Sequence, residues 1–381
     1  MPIAQQELTI LSAQPASGTM LLSATAHNHD GQVQVKTPQM NTQQLNPQQL
    51  NIPQSNTVYA IGECMIELQR GGTGMDYRFG GDTLNAAVYL ARLLDPAHMQ
   101  VAYVTGLGTD GMSDEMVAAW QAEGIDTASV LRLPERLPGI YLIETAAGGE
   151  RTFHYWRADS AARHWLEAPD AGKVLLQLGR AHTVYLSGIS MAILSPGDRE
   201  LLLVALGQCR ARGGQVVFDN NYRPRLWDSA AVAAAVYGRV LANCDLALLT
   251  LDDEQALYGG SGELEADSLA AIARARDLGV TEVVVKRGAA PCLVWGEGRL
   301  HRVAPAPVAR VVDTTAAGDS FGAAYLAARL QGHGCEAAAR AGHRLAGAVI
   351  GQRGAIIARA AMPDLAHELG VHARPASSSP P

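Results

Sequence analysis

Residues 311–322, VVDTTAAGDSFG, contain the side chains best suited to chemistry. A short apolar run leads into three small residues, Ala316, Ala317 and Gly318, ahead of an Ala-rich helix predicted over 323–330. Small side chains let a phosphate approach the backbone, and the unpaired N–H groups of a first helical turn attract an anion. We interpret these three residues as an anion hole.

Asp319 follows this loop directly and needs a separate explanation. A carboxylate there would repel a bound phosphate. It would, however, be well placed to accept the proton of a hydroxyl that attacks a phosphorus atom, which is the role of a general base. The alternative is an acid that only complements the positive end of the helix dipole. The complete string favours the base.

Short β-branched runs alternate with Ala- and Leu-rich stretches through most of the chain. The runs predict strands at 58–63, 101–105, 183–187, 215–219, 245–250 and 282–286. Helical stretches follow most of them, at 83–93, 113–123, 198–212, 230–241 and 264–278. This order predicts an α/β fold with a mostly parallel central sheet and helices on both faces. Ligands bind beyond the carboxyl ends of the strands in such sheets, so the site residues should lie there.

Two segments break this alternation, at about 67–81 and 137–157. Both contain alternating apolar and polar residues with Gly-rich turns, and neither contains a helical stretch. They predict antiparallel strands of a small sheet that projects from the main one and could close over a substrate. An ordinary extension of the sheet edge is the alternative.

The 381-residue chain is 48% hydrophobic and 18% charged, with a formal net charge of −7. These values indicate a globular protein without the basic surface that nucleic-acid binding needs. No apolar run reaches the roughly 18 residues of a membrane helix, and no secretory signal is visible. We therefore expect a cytoplasmic protein that binds neither membranes nor nucleic acid. Its five cysteines form no CxxC pair and its histidines no metal-binding pattern, so we expect inert thiols.

The two ends of the chain differ in composition from the rest. Residues 1–57 are rich in Gln, Asn and Pro and contain no aromatic residue. Such a segment buries too little apolar surface to offset its chain entropy. We predict a disordered tail at 1–57, a second one at 367–381, and one domain at 58–366.

The 311–322 string resembles the signature Asp-Thr-x-Gly-Ala-Gly-Asp of the ribokinase-like (PfkB) carbohydrate kinases, with Ala316 in place of the first Gly. This variant is similar to the form found in the 2-keto-3-deoxygluconate kinase subfamily. Further strings that match the subfamily lie at 61–68, 79–85, 150–157, 218–227, 250–254 and 353–357. The resemblance implies a three-layer α/β sandwich with a small β-sheet lid. It also implies ATP-dependent phosphorylation of the 6-hydroxyl of 2-keto-3-deoxygluconate, with Asp319 as the base.

The resemblance further implies where the sugar acid would bind. The residues that match the family's substrate loop are Gly80, Gly81, Asp82 and Asn85. An ordinary left-handed turn with Asp82 as a helix N-cap would also explain this loop. Lid positions Tyr141, Tyr155 and Arg157 match sites that hold the sugar acid in this subfamily. Period-two alternation places Tyr155 and Arg157 on one face of a strand, which supports a shared site.

A nucleotide site is implied at the ends of two predicted strands. Arg223, after 215–219, can grip a carboxylate or a phosphoryl group with its guanidinium fork, and the family places it beside both substrate and ATP. A basic turn with a glycine ends the strand 282–286, where the family binds the nucleotide. The implied ATP contacts are Asn221, Arg223, Lys286, Arg287, Gly288, Ala316, Ala317 and Gly318.

Mg²⁺ is expected to accompany ATP, because it binds mainly through phosphates and keeps several of its waters. Glu254 corresponds to the family's Asn-x-x-Glu element, which organises Mg²⁺ through water. Leu251 stands at the Asn position, so the element is incomplete. We predict only an outer-shell role for Glu254.

A literal GxGxxG at 106–111 is the pattern of a dinucleotide-binding loop, but Asp110 would lie near the phosphates and the motif does not follow the first strand, so we expect a turn that shapes the edge of the sugar site. Two other interpretations stay open. The protein could instead be a kinase for another small sugar or sugar acid on the same fold, or a catalytically silent sugar- or nucleotide-binding protein. A small-molecule sugar acid and ATP are the expected partners, and the sequence leaves a homo-oligomer open.

Overall fold

The computed structural model describes residues 55–70, 74–145 and 151–365. The two predicted disordered tails lie outside the described residues, except for residues 55–57. The first strand begins at Ser55, where Ser55 pairs with Ala181 and Thr57 pairs with Gln100. Residues 55–57 therefore belong to the domain and not to the tail to which the sequence assigned them, because ladder hydrogen bonds hold them in the sheet.

The described chain alternates strands and helices in the predicted manner. Its strands are β1 (Ser55–Ile61), β2 (Met65–Arg70), β3 (Met75–Gly80), β4 (Gln100–Leu107), β5 (Val130–Arg132), β6 (Ile140–Thr145), β7 (Arg151–Trp156), β8 (Ala181–Ser187), β9 (Gln215–Asp219), β10 (Leu246–Thr250), β11 (Glu282–Lys286), β12 (Cys292–Gly296) and β13 (Arg299–Val303). Its α-helices are α1 (Asp82–Leu93), α2 (Gly111–Ala122), α3 (Ala171–Leu178), α4 (Gly188–Ala192), α5 (Pro196–Ala211), α6 (Ala230–Leu241), α7 (Leu251–Tyr258), α8 (Leu264–Asp277), α9 (Ala317–Leu330) and α10 (Cys335–Ile350).

Nine strands form the main sheet, in the order β13-β12-β11-β10-β9-β8-β1-β4-β5. All neighbours from β11 to β5 pair in parallel, and β12 and β13 add an antiparallel hairpin at one edge. The predicted α/β class with a mostly parallel sheet is therefore confirmed. Because the parallel strands share one direction, their carboxyl ends meet along a single edge, where the residues after each strand can form one site.

Helices cover both faces of this sheet, and alternate residues of each strand enter different cores. In β1, Val58 and Ala60 pack in the cluster that contains Phe321 of α9. Their neighbours Tyr59 and Ile61 pack in the opposite cluster, with residues of α5 and α6. Strands buried on both faces read as nearly continuous apolar runs, which is why the sequence revealed them. No helix in the described part of the chain is both long and apolar enough to cross a bilayer.

The six predicted strands and five predicted helices of the alternating pattern are all present. The sequence did not predict β5, β12, β13, α3, α4, α7 and α10. β9, β11 and α6 have the predicted bounds. The hairpin of β12 and β13 was not predicted, because no helix follows either strand. The helix predicted at 323–330 begins six residues earlier, at Ala317, since small residues can enter a helical turn without a capping side chain.

The two segments that break the alternation form a separate four-stranded sheet, in the order β3-β2-β6-β7, which we call the lid. Its outer pairs are antiparallel as predicted, but β2 and β6 pair in parallel. Both strands leave the main sheet at its carboxyl edge, one after β1 and the other after β5, so they run in the same direction. The prediction of a wholly antiparallel sheet was wrong at this pair.

The GxGxxG string has a structural explanation. Gly106 lies inside β4, where a Cβ would collide with the carbonyl oxygen of Ala161. Asp110 caps α2, because its carboxylate accepts a hydrogen bond from the N–H of Ser113 at 3.0 Å. Gly106 therefore permits the close approach of β4 to the backbone of Ala161, and Asp110 caps α2. The string is the end of a strand followed by a helix cap, not a phosphate-binding loop.

A pair of glycine substitutions tests this explanation. Gly106→Ala should lower the free energy of unfolding by about 1–3 kcal/mol, the usual cost of overpacking. Gly111→Ala, in the same string, is the matched control, since a Cβ there meets nothing within 4 Å. It should raise that free energy by about 0.5 kcal/mol through the unfolded chain. Urea unfolding measures both values, and equal effects of the two substitutions would contradict the explanation.

Candidate active site

A buried ion pair lies at the carboxyl edge of the main sheet. Asp219 ends β9 and Lys286 ends β11, and Lys286 Nζ donates to Asp219 Oδ2 at 2.7 Å. A Cβ built on Gly318 would lie 3.3 Å from the same Nζ. The ammonium group therefore lies directly beneath the small-residue loop, where it adds positive charge to the first turn of α9.

The small-residue loop has an unusual backbone. Ala316 adopts a left-handed conformation, with φ 60° and ψ 17°, at the position where the family signature has glycine. For a residue with a Cβ this conformation costs about 1–2 kcal/mol. It turns the chain into α9, whose start has no side-chain cap. An uncapped first turn leaves its N–H groups directed outward, as an anion site requires.

The backbone N–H groups of the three predicted anion-hole residues are not all available to an anion. The N–H of Ala317 donates to the carbonyl of Thr314 at 3.2 Å. The next two amides, of Gly318 and Asp319, belong to the first helical turn, where the helix itself supplies no acceptor. The anion-binding capacity of the loop therefore centres on Gly318 and Asp319, with the Ala317 amide already engaged.

Asp313 fixes the shape of this loop from below. Its Oδ1 accepts hydrogen bonds from the N–H and the Oγ1 of Thr315, at 3.1 and 2.7 Å. Its Oδ2 accepts the N–H of Gly354 at 3.1 Å. The 353–357 string is thereby tied to the loop, and Tyr89 of α1 ties it to the helix by donating to the Ala355 carbonyl at 2.7 Å.

Asp319 faces the start of α1 across the cleft. Its Oδ2 accepts a hydrogen bond from Asn85 Nδ2 at 2.8 Å. Burial and then the nearby charge of Asp82 raise the pKa of Asp319 to about 7, against the opposing effects of Asn85 and Lys286. A carboxylate with a pKa near the working pH is suited to accept a proton and release it again.

The predicted substrate loop joins the same site. A Cβ on Gly80 would lie 2.7 Å from Tyr141 Oη, and one on Gly81 would collide with the carbonyl oxygen of Glu63. Gly81, which is extended and not left-handed, is the N-cap of α1, and Asp82 is its first residue. The turn with Asp82 as N-cap was therefore wrong. This frees the Asp82 carboxylate to accept Asn221 Nδ2 at 2.5 Å.

The lid contributes tyrosines to one side of the cleft. Tyr141 donates a hydrogen bond to Glu67 of β2, and burial together with that carboxylate raises its pKa. The rings of Tyr141 and Tyr155 stack with centroids 5.8 Å apart. Tyr155 is half exposed, so its ring presents a surface at the lid.

Arg157 is held more firmly than the sequence suggested. It lies just beyond β7 and forms an ion pair with Glu63, whose side chain is 0% exposed. Such a pair is costly to break, because it would leave a buried carboxylate without its partner. The buried Nε of Arg157 has no hydrogen-bond partner in the described residues.

The cations predicted to bind ATP have different surroundings. Arg223 is 52% exposed in its side chain and lies 3.5 Å from Asp253, a weak contact that leaves it available. The guanidinium of Arg287 pairs with Glu265 of α8 at 2.7 Å, so this side chain anchors the turn. Gly288 has φ 59°, a conformation that favours glycine.

Glu254 lies on α7, where both of its carboxylate oxygens are engaged by protein donors. Its two oxygens accept hydrogen bonds from Asn220 at 3.1 Å and from Arg274 at 2.6 Å. Burial raises its pKa and also that of its neighbour Asp253, which faces Arg223. The outer-shell role of Glu254 stays a prediction, because its oxygens are already engaged.

Sequence reasoning did not single out Asp219, Asn220 or Glu63 as site residues. Asn220 binds the N–H of Thr250 at 2.9 Å and the carboxylate of Glu254, which joins the ends of β9 and β10. A signal was present, since each of the three ends a strand or follows one at the carboxyl edge. Their hydrogen-bond and ion-pair partners are distant in sequence, so the sequence could indicate them only through their position at the end of a strand.

Comparisons with known proteins agree with this geometry. The chain matches the model of the pfkB family carbohydrate kinases over residues 55–361. It is 52% identical over 312 residues to the 2-dehydro-3-deoxygluconokinase of Dickeya dadantii strain 3937, covering 81% of this chain and 99% of that protein. It is 53% identical over 312 residues to the 2-dehydro-3-deoxygluconokinase of Escherichia coli K12, with the same shares covered.

A solved structure with the same fold is that of a ribokinase II from E. coli in complex with ATP and Mg²⁺. The two chains superpose with a TM-score of 0.66 at 22% sequence identity, over 83% of this chain and 98% of the other. At this identity the likeness establishes the fold. With the family model matched across nearly all of the described residues, this chain belongs to the pfkB family of carbohydrate kinases.

Proposed function

We propose that the chain is an ATP-dependent 2-dehydro-3-deoxygluconokinase. It transfers the γ-phosphoryl group to the 6-hydroxyl of 2-dehydro-3-deoxygluconate, also called 2-keto-3-deoxygluconate, and gives the 6-phosphate. The observation that carries the reaction type is Asp319, a carboxyl group with a pKa near 7 at the start of an uncapped helix. The substrate rests on relatives of that activity that are more than half identical over 81% of this chain.

Asp319 is the proposed general base. It orients the 6-hydroxyl and accepts its proton as the oxygen attacks the γ-phosphorus, so the O–H bond breaks as the O–P bond forms and ADP leaves. The first-turn amides of Gly318 and Asp319 then stabilise the charge on the transferring group. Lys286, held by Asp219 beneath this turn, adds a positive charge that does not need to move.

The sugar acid would bind between the start of α1 and the lid. Asp82 and Asn85 offer polar groups to its hydroxyls, while Tyr141 and Tyr155 shield one side from water. The free Nε edge of Arg157 and the exposed fork of Arg223 are suited to a carboxylate. Together, two guanidinium groups favour an acid over a neutral sugar.

MgATP is the proposed donor, as in the ribokinase II complex of the same fold. The turn after β11, with Gly288 in a left-handed conformation, leaves room for the nucleotide to pass close to the backbone. Near it, Asp253 and Glu254 are the carboxylates that could hold waters of the metal. A cytoplasmic location and a homo-oligomer stay predictions.

A panel of sugars tests the substrate. With ATP and Mg²⁺ in a coupled assay of ADP release, kcat/KM for 2-dehydro-3-deoxygluconate should exceed that for fructose or ribose by at least about 100-fold, because a neutral sugar offers no carboxylate to the Nε of Arg157 or to the exposed guanidinium of Arg223. A higher value for another sugar would favour a different kinase on this fold. Ligand binding without ADP release from any sugar would favour a silent binding protein.

Replacement of the base tests the mechanism. Asp319→Asn should lower kcat at least about 100-fold, the scale of general-base loss. ATP affinity and thermal stability should change little, because the amide keeps the size of the side chain. Asp277→Asn is the matched control, since this exposed aspartate ends α8 far from the loop. Turnover near that of the control would remove Asp319 from the base role.

The pH profile of kcat/KM reports the pKa of Asp319 in the free enzyme. Only the deprotonated carboxylate accepts a proton, so kcat/KM should rise as the pH passes through about 7. Asn85→Ala removes a hydrogen bond that favours the charged form and should move this limb to higher pH. Asp82→Asn removes a repelling charge and should move the limb to lower pH. Limbs that stay in place in both variants would show that another group controls the profile.

A further inference from the structure

A second cluster of potential ligands lies at the far end of α9 from the proposed active site. It consists of Glu297 in the turn between β12 and β13, His301 of β13 and Cys335, the first residue of α10. One ligand atom from each residue lies within 4.8 Å of the others. The fourteen residues of α9 span about 20 Å, so this cluster is separate from Asp319.

The backbone around the cluster makes room for it. A Cβ on Gly296 would collide with the sulfur of Cys335, and one on Gly334 would lie 3.2 Å from Glu297 Oε1. Glu297 itself has φ 54°, and its carboxylate accepts the N–H of Cys335 at 3.0 Å. Gly296 precedes Glu297 and Gly334 precedes Cys335, and the absence of a Cβ at both positions lets the carboxylate and the thiol lie close together.

His301 supplies an independent observation. Its side chain is 4% exposed, and its Nε2 has no hydrogen-bond partner in the part of the chain that the structure describes. The closest carboxylate oxygen, of Glu297, lies 3.9 Å away, which is too far for a hydrogen bond. A buried polar nitrogen without a partner is costly, and helix capping by Glu297 does not account for it.

We propose that Glu297, His301 and Cys335 form a site for a divalent transition-metal ion of the zinc type. Carboxylate oxygen, imidazole nitrogen and thiolate sulfur together are ligands that Zn²⁺ accepts, whereas Mg²⁺ and Ca²⁺ prefer oxygen alone. The ion takes the free lone pair of the imidazole. Three protein ligands leave a fourth position for water on the solvent side, where Glu297 is 40% exposed.

The charges around the site balance with such an ion. Arg329 pairs with Glu282 at 2.8 Å and lies 3.4 Å from Glu297, so one cation already faces two carboxylates. Binding forms the S–metal bond as the thiol proton passes to solvent. The thiolate and two carboxylates against one guanidinium then leave two negative charges for the divalent ion.

Metal titration of the full-length chain tests the site. After removal of metals with a chelator, Co²⁺ should bind and produce the near-ultraviolet charge-transfer band of a cobalt thiolate, and Zn²⁺ should displace it. Cys335→Ser should abolish the band, and His301→Gln should weaken binding at least about tenfold. Zn²⁺ should also raise the melting temperature of the unaltered chain but not that of Cys335→Ser.

Cys209→Ser is the matched control, because Cys209 is another buried thiol on α5, outside the cluster. It should keep the band and the rise in melting temperature. Should Cys335→Ser fail to fold, Glu297→Gln on the exposed turn keeps an oxygen for the Cys335 N–H and should weaken Co²⁺ binding at least about tenfold. No thiolate band in the unaltered chain, or equal metal binding by the unaltered chain, Cys335→Ser and Glu297→Gln, would overturn the proposal.

Discussion

The hydrogen bond from Asn85 to Asp319 joins the two helix starts on which the proposed active site is built. α1 brings the polar groups suited to a sugar, and α9 brings the uncapped turn suited to a phosphate. The start of α1 depends on a close approach of Gly81 to the backbone of Glu63 that a side chain would obstruct, and the start of α9 depends on the left-handed conformation of Ala316. The contact across the cleft therefore fixes the two helix starts beside each other, where we propose that the hydroxyl and the phosphoryl group meet.

Electrostatic balance is the second constraint. Three aspartates, at 82, 219 and 319, lie close enough to influence one another, and among the described residues Lys286 is the buried cation beside them. Asp219 accepts a hydrogen bond from this ammonium group and Asp82 accepts one from an amide, whereas the donor to Asp319 is the neutral amide of Asn85. Burial and repulsion therefore act on the carboxyl group that we propose as the base.

The lid is attached to the main domain by polar contacts at its base. Glu63 leads from β1 towards the lid and pairs with Arg157 as the chain returns from β7, so a buried ion pair joins both ends of the lid. Ser160 also contacts this glutamate. A fixed base with the half-exposed Tyr155 above it is consistent with a cover for a small polar substrate, and the ion pair gives Arg157 a structural role beside the binding role that we propose.

The sequence by itself determined most strands of the parallel sheet and the helices that follow them, because apolar periodicity and loop composition are local properties. The bounds of β9, β11 and α6, and the small residues ahead of Asp319, could all be identified without any structure. The hairpin of β12 and β13 and the parallel pairing inside the lid were missed, since they depend on neighbours elsewhere in the chain.

Only the tertiary structure decided which side chains meet. Asn85 and Asp319 are 234 residues apart, Asp82 and Asn221 are 139 apart, and no local pattern pairs them. The same holds for Arg157 and Arg287. Their positive charges could be recognised in the sequence, but the ion pairs that they form could not. Side-chain chemistry is local, whereas burial and proton affinity depend on what the fold places nearby, and these distinguish Asp319 from the other carboxyl groups of the proposed site.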